Sequence, residues 1–124
     1  MEQKSFIEWL DHELAERGWN DNQLANRAGI SHSVISKARR GTMPRWDACA
    51  AIASALNIPA DLVFRQAGLL PPLADEEAVL IELRFLISQL PARDRNELMQ
   101  IARLKVQRHT ERQAQRASHP PPAD

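Results

Sequence analysis

A single cysteine, Cys49, stands among the 124 residues, so neither an internal disulfide nor a CxxC metal site is available. No apolar run approaches the ~20 residues that a transmembrane helix requires, and no membrane association is expected. The opening MEQKSFIEWLDHE is acidic and amphipathic, unlike a secretory leader, which makes the cytoplasm the expected location. The histidines, His12, His32, His109 and His119, share no spacing that would seat a metal or a catalytic base. His12, beside Asp11 and Glu13, reads as a surface helix residue. Nucleophile-elbow and Walker patterns, a glycine-rich phosphate loop and internal repeats are all missing. The expectation is therefore no enzyme, no cofactor and no metal. Net charge is missing too, with 16 Lys+Arg against 16 Asp+Glu, which by itself argues against a nucleic-acid partner.

What is present is a globular composition, 44% hydrophobic and 26% charged, enough for one compact domain or a small domain with an extension. The charge is also unevenly distributed. Residues 1–26 carry two basic and six acidic side chains, whereas residues 27–46 carry five basic ones (Arg27, Lys37, Arg39, Arg40, Arg45) and no acidic one. A short basic run is often only a solvated face. Here it coincides with the stretch that organises the chain, NDNQLANRAGISHSVISKARRGTMPR at 20–45.

That stretch predicts a helix, a tight turn at Ala28-Gly29-Ile30 and a second helix opening at Ser31. Asn20 with Gln23 three residues later forms a capping box. Gly29 suits a sharp turn that needs positive φ, and the Ser31 hydroxyl serves the free N–H groups of the following helix. Leu24 and small Ala25 face inward on the first helix, Ile35 and Ala38 on the second. The second helix therefore presents His32, Ser33, Val34, Ser36 and Lys37 outward. A polar helix face on a two-helix frame is what a DNA major groove accepts, so the stretch reads as a helix-turn-helix.

Helices before and after it complete a small core. Ser5 with Glu8 forms a second capping box, with Ile7, Leu10 and Leu14 as its apolar stripe and Gly18 as its stop. Trp19 is expected in the core; Trp9 is either a rim or a core residue. A turn at 41–44 leads to a helix over 45–56 whose inward face is Cys49, Ile52, Ala53 and Leu56, so Cys49 reads as a buried structural thiol. Pro59 suits the first turn of a fifth helix, whose contacts come from Leu62, Val63 and Ala67 before Gly68 ends it.

The run QLANRAGISHSVISKARRG, followed by Pro44 and IASALNIPADLVF, resembles the phage-repressor/Cro-type (XRE-like) helix-turn-helix family over about residues 6–67. The resemblance implies an all-α fold, a five-helix repressor-like domain, and sequence-specific binding of double-stranded DNA. It implies base contacts from His32, Ser33, Val34 and Lys37, with Lys37 favouring guanine and Val34 a thymine methyl. Phosphate contacts fall to Asn22, Arg27, Ser36, Arg40, Thr42 and Arg45. Two positions depart from the family. Asp21 stands where glutamine often holds a phosphate, so Asn20 or Asn22 must substitute, and Arg39 stands where an acidic residue is common, adding positive charge near the DNA backbone.

From Leu69 the character changes. A proline-containing linker over 69–74 precedes an acidic helix start at Asp75-Glu76-Glu77. Val79, Leu80, Leu83, Leu86, Ile87 and Leu90 then form a stripe more apolar than one packing surface requires. Pro91 interrupts it, and Leu98, Met99, Ile101, Ala102, Leu104 and Val106 continue in a further helix, giving a helical hairpin or a bent helix over 75–116. The apolar excess either docks on the first domain as extra core or pairs two chains. The second option is preferred, because a homodimer reads an inverted-repeat operator. Residues 103–116 carry a net +4 and form a solvated face or touch DNA flanks; 117–124 read as a disordered tail. The functional expectation is a homodimeric transcriptional regulator, a repressor before an activator. The alternatives are an antitoxin that also autoregulates its operator, with a toxin as partner, and a protein–protein adaptor that has lost DNA binding.

Overall fold

The computed structural model describes residues 5–118, which form seven helices and no strand: α1 (Phe6–Arg17), α2 (Asp21–Ala28), α3 (His32–Arg39), α4 (Trp46–Leu56), α5 (Ala60–Gln66), α6 (Asp75–Ser88) and α7 (Ala92–Ser118). The chain divides into two compact units, one through Leu86 and one from Ile87 onward.

In the first unit, α1–α5 enclose one core of Leu10, Leu14, Leu24, Ala25, Ile35, Ala38, Cys49, Ile52, Ala53, Leu56 and Val63, closed at its edges by Phe6, Ile58 and Ala67. The inward faces follow the apolar periodicity, with exceptions: Leu62, expected among the contacts of α5, is only half-buried, and Ile58, expected only to close α4, joins the core. Phe6 takes the buried place on α1 expected of Ile7, which packs at the margin. Trp19 is also marginal rather than central, because Gly18, in the left-handed conformation that ends α1, swings the chain out of the helix before the ring.

The caps form much as the sequence dictates. The Asn20–Gln23 box is complete, with both reciprocal bonds at 2.8 Å. At α1 the forward bond from the Glu8 N–H to Ser5 Oγ is present, without the reciprocal half seen at Asn20. Gly29 closes α2 at φ +69°, ψ +30°, a conformation in which any Cβ is strained, and its N–H satisfies the last carbonyls of α2. Pro59 occupies the cap before α5 rather than its first turn. Arg17 links distant ends of the domain: one guanidinium nitrogen holds Glu13 at 2.8 Å while the other donates to the Leu56 carbonyl, also at 2.8 Å. That bond satisfies a carbonyl at the open C-terminal end of α4.

The connector after α5 is anchored by Leu69, which packs on the core, and by Arg65, which donates to the Pro71 carbonyl at 2.7 Å. No residue of α6 is buried. The extension is two helices separated at 89–91, and Pro91 accepts the first backbone bond of α7 from the Arg95 N–H. α7 continues to Ser118, so residues 117 and 118, expected in the tail, are helical. The rest of that expected tail, including His119, lies outside the described residues.

Candidate nucleic-acid interface

The geometry of α3 follows from three local choices. Ser31 caps its N-terminus by accepting from the Ser33 N–H at 3.2 Å. Ile35 and Ala38 anchor it to the core. Gly41, at φ +105°, turns the chain away after Arg40, and the Thr42 N–H bonds back to the Lys37 carbonyl at 2.9 Å. With the buried pair fixing one side, helical rotation of 100° per residue places Ser33, Ser36, Lys37 and Arg40 on the opposite side.

The structure brings these residues together as a polar surface with its own internal bonds. Ser33 and Ser31 hydroxyls lie 2.9 Å apart, and the Ser36 hydroxyl lies 3.3 Å from His32 Nδ1. The second contact orients the imidazole. His32 and Val34 flank this surface on opposite sides. His32 is exposed on the side of Asp21, while Val34 is half-buried, so less of its side chain is open to a thymine methyl than its place in the sequence suggested. Asn22 lies exposed in the first turn of α2, and Thr42 and Arg45 are exposed beyond α3.

The basic residues divide by partner. Among the described residues, no carboxylate lies within ion-pair distance of Arg27, Lys37, Arg40 or Arg45. Arg27 stacks over the Trp19 ring at 4.4 Å, which steadies the guanidinium without neutralising it. Arg39 behaves otherwise. It grips Asp21 with two bonds of 2.7 Å and reaches Asp11 at 2.8 Å, tying the end of α3 to the start of α2 and to the middle of α1.

This arrangement corrects two expectations. Arg39 is not a free cation near a DNA backbone, because two carboxylates hold it. Nor is Asp21 an uncompensated repulsive charge. The hydrogen-bonded Arg39 guanidinium holds its carboxyl below the usual carboxylate range, against a smaller opposing effect of burial, and His32 adds a minor contribution. Asp21 and then Asp11 push the Arg39 guanidinium further up in turn. The two departures from the family pattern are therefore partners. Sequence reasoning missed the pair because its members are 18 residues apart; the signal available was that a carboxylate and a guanidinium both stood in unusual places.

The remaining site residues lie outside this surface. Val79, Leu80, Leu83 and Leu86 are exposed, Val79 to 62%, while Ile87 and Leu90 are half-buried. Cys49 is fully buried, its thiol donating to the Pro44 carbonyl at 3.4 Å, and burial pushes the thiol up to about 11. Among the described residues no group of three or more His, Cys, Asp or Glu is placed to hold a metal, and no helix is long and apolar enough to cross a membrane.

Compared with known proteins, residues 13–63 match the helix-turn-helix family. The matched segment runs from within α1 to within α5 and contains every expected DNA-contacting residue. No curated protein and no solved structure matches the chain.

Proposed function

Residues 13–63 belong to the helix-turn-helix family, the DNA-binding module of transcription regulators, and on that premise we propose that the protein is a homodimeric, cytoplasmic repressor that reads an inverted-repeat operator. The observation that carries the reading is the exposed α3 surface with Lys37 and Arg40 free of carboxylates, flanked by Arg27 and Arg45. α3 lies in the major groove with its N-terminal end leading. His32, Ser33 and Lys37 meet base edges, Val34 contributes its exposed edge, and Asn22, Arg27, Ser36, Arg40, Thr42 and Arg45 hold phosphates. Residues 1–68 form the DNA-binding domain, 69–74 the linker, and 75 onward the dimerising extension.

The dimer rests on energetics. Burying a half-exposed Val or Leu contributes roughly 1 kcal/mol, so Val79, Leu80, Leu83 and Leu86 from two chains supply about 8 kcal/mol. Association costs ~4–15 kcal/mol, so α6 alone is marginal. Exposed Leu98, Met99, Ile101, Leu104 and Val106 on α7 add a comparable amount, and both helices take part. Two α3 helices about 34 Å apart then engage successive turns of one DNA face.

A mobility-shift titration against the DNA upstream of its own gene, at two salt concentrations, tests the reading. A retarded complex that weakens steeply with salt and resists random competitor supports it. No complex at low salt refutes it and leaves the adaptor. Co-purification of a second, toxin-like chain with the DNA complex retained identifies an antitoxin.

A further inference from the structure

The C-terminal half of α7 carries a feature the helix-turn-helix does not account for. Lys105, Arg108, Arg112 and Arg116 follow at spacings of three, four and four. At 100° per residue they share about 80° of the helix circumference, and at 1.5 Å per residue they extend over about 16 Å. All four are exposed, and none has a carboxylate within ion-pair distance among the described residues. The segment's one acidic residue, Glu111, accepts a bond from Gln107 at 3.2 Å instead.

Such a stripe is intrinsically unfavourable. Arg108 and Arg112, and Arg112 and Arg116, are like charges four residues apart, each pair costing a few tenths of a kcal/mol in an isolated helix. The helix dipole compensates only the last turn. A polyanion laid along the stripe relieves both repulsions.

The composition of the segment narrows the polyanion. After Val106 no large apolar side chain occurs through Ser118. A helix lying in a lipid interface needs a bulky apolar face opposite its cations, and a peptide groove needs apolar anchors. Neither is present here, so attraction must come from charge alone. Three of the four residues are arginines, which engage phosphate in a bidentate fork. B-DNA carries about one charge per 1.7 Å of axis, so the stripe matches a length bearing some nine phosphates.

We propose that the Lys105–Arg108–Arg112–Arg116 stripe is a second, sequence-independent DNA contact that grips the phosphate backbone beyond the operator core. It rests on the DNA-binding reading above and adds to it a part for α7 in affinity rather than specificity.

The test compares the full chain with the variant carrying Lys105→Gln, Arg108→Gln, Arg112→Gln and Arg116→Gln, with unchanged helix content by circular dichroism and unchanged solution mass as controls. Binding is measured against salt on a long fragment from upstream of its own gene, on that fragment trimmed to its footprinted core, and on random DNA. The expected result is a fall in the log–log salt slope of about 0.9 per lost phosphate contact, three to four per chain. The fall appears on both long DNAs, and the two proteins converge on the trimmed core. An unchanged slope on long DNA, with operator binding intact, overturns this proposal and leaves the helix-turn-helix reading standing. Failure of the wild-type chain to bind any DNA overturns both. Wild-type-only binding to anionic lipid vesicles, with equal DNA slopes, assigns the stripe to a membrane and also overturns it.

Discussion

Arg39→Gln and Asp21→Asn, made singly and together, measure what the link between α3 and α2 contributes. The two side chains are 34% and 25% exposed and meet through two bonds of 2.7 Å. Their coupling should exceed the ~0.3–0.5 kcal/mol of an exposed helical pair and stay well under the ~3–5 kcal/mol of breaking a fully buried one, so about 1 kcal/mol is expected. Arg39→Gln alone costs somewhat more, about 1.5 kcal/mol, because it also leaves Asp11 and Asp21 facing each other without a cation. In a small domain that lowers Tm by roughly 6–12 °C. The pH dependence has a definite sign. The folded carboxyl of Asp21 lies below its ordinary value, so the contribution is complete above the unfolded carboxylate value of ~3.9 and is lost as pH falls through the lower folded one. The stability gap between wild type and Arg39→Gln is therefore constant from about pH 5 to 8 and closes below about pH 4. Urea unfolding followed by circular dichroism reads both quantities. A coupling energy indistinguishable from zero, or a gap that persists at low pH, would refute the assignment. In DNA binding, the double variant keeps the wild-type salt slope, because Arg39 is held by carboxylates rather than phosphate.

Further outcomes follow from the same geometry. Lys37→Ala weakens cognate DNA by about 1–3 kcal/mol and random DNA much less, whereas Arg40→Ala weakens both alike and lowers the salt slope by about 0.9, as paired titrations will show. Leu83→Glu with Leu86→Glu halves the mass measured by light scattering and leaves the helix content of the first domain intact; an unchanged mass removes α6 from the dimer. Gly29→Ala meets no atom within 4 Å, so its cost is the strain of φ +69° alone, about 1 kcal/mol by thermal unfolding. Cys49, buried and shifted upward, stays unreactive to a thiol reagent at pH 8 until denaturant is added.

The helix-turn-helix itself is legible in the sequence because its signals are local. Asn20, Gln23, Gly29 and Ser31 act on backbone groups within a few residues of themselves, and the Ile35–Ala38 spacing alone determines which face of α3 turns outward. The same periodicity selected nearly the whole core; it passed over Ile58 and over Phe6, which continues the Leu10 and Leu14 spacing of four by one step to the first helical position, where Ile7 offered a competing apolar choice. It misplaced Trp19, because hydrophobicity does not say how far a left-handed glycine carries the next residue from the core.

Tertiary structure decided which charges are free. The sequence showed five basic residues over 27–46, and nothing local separates Arg39 from Arg40, its neighbour. One turns back to Asp21 and Asp11, and the other stays exposed, because successive helical residues point about 100° apart and only the packing of α1, α2 and α3 puts two carboxylates in one of those directions. Local propensity and apolar spacing determined the elements and their inward faces; through-space geometry, between residues 18 and 28 positions apart, determined the charge pattern that DNA would meet.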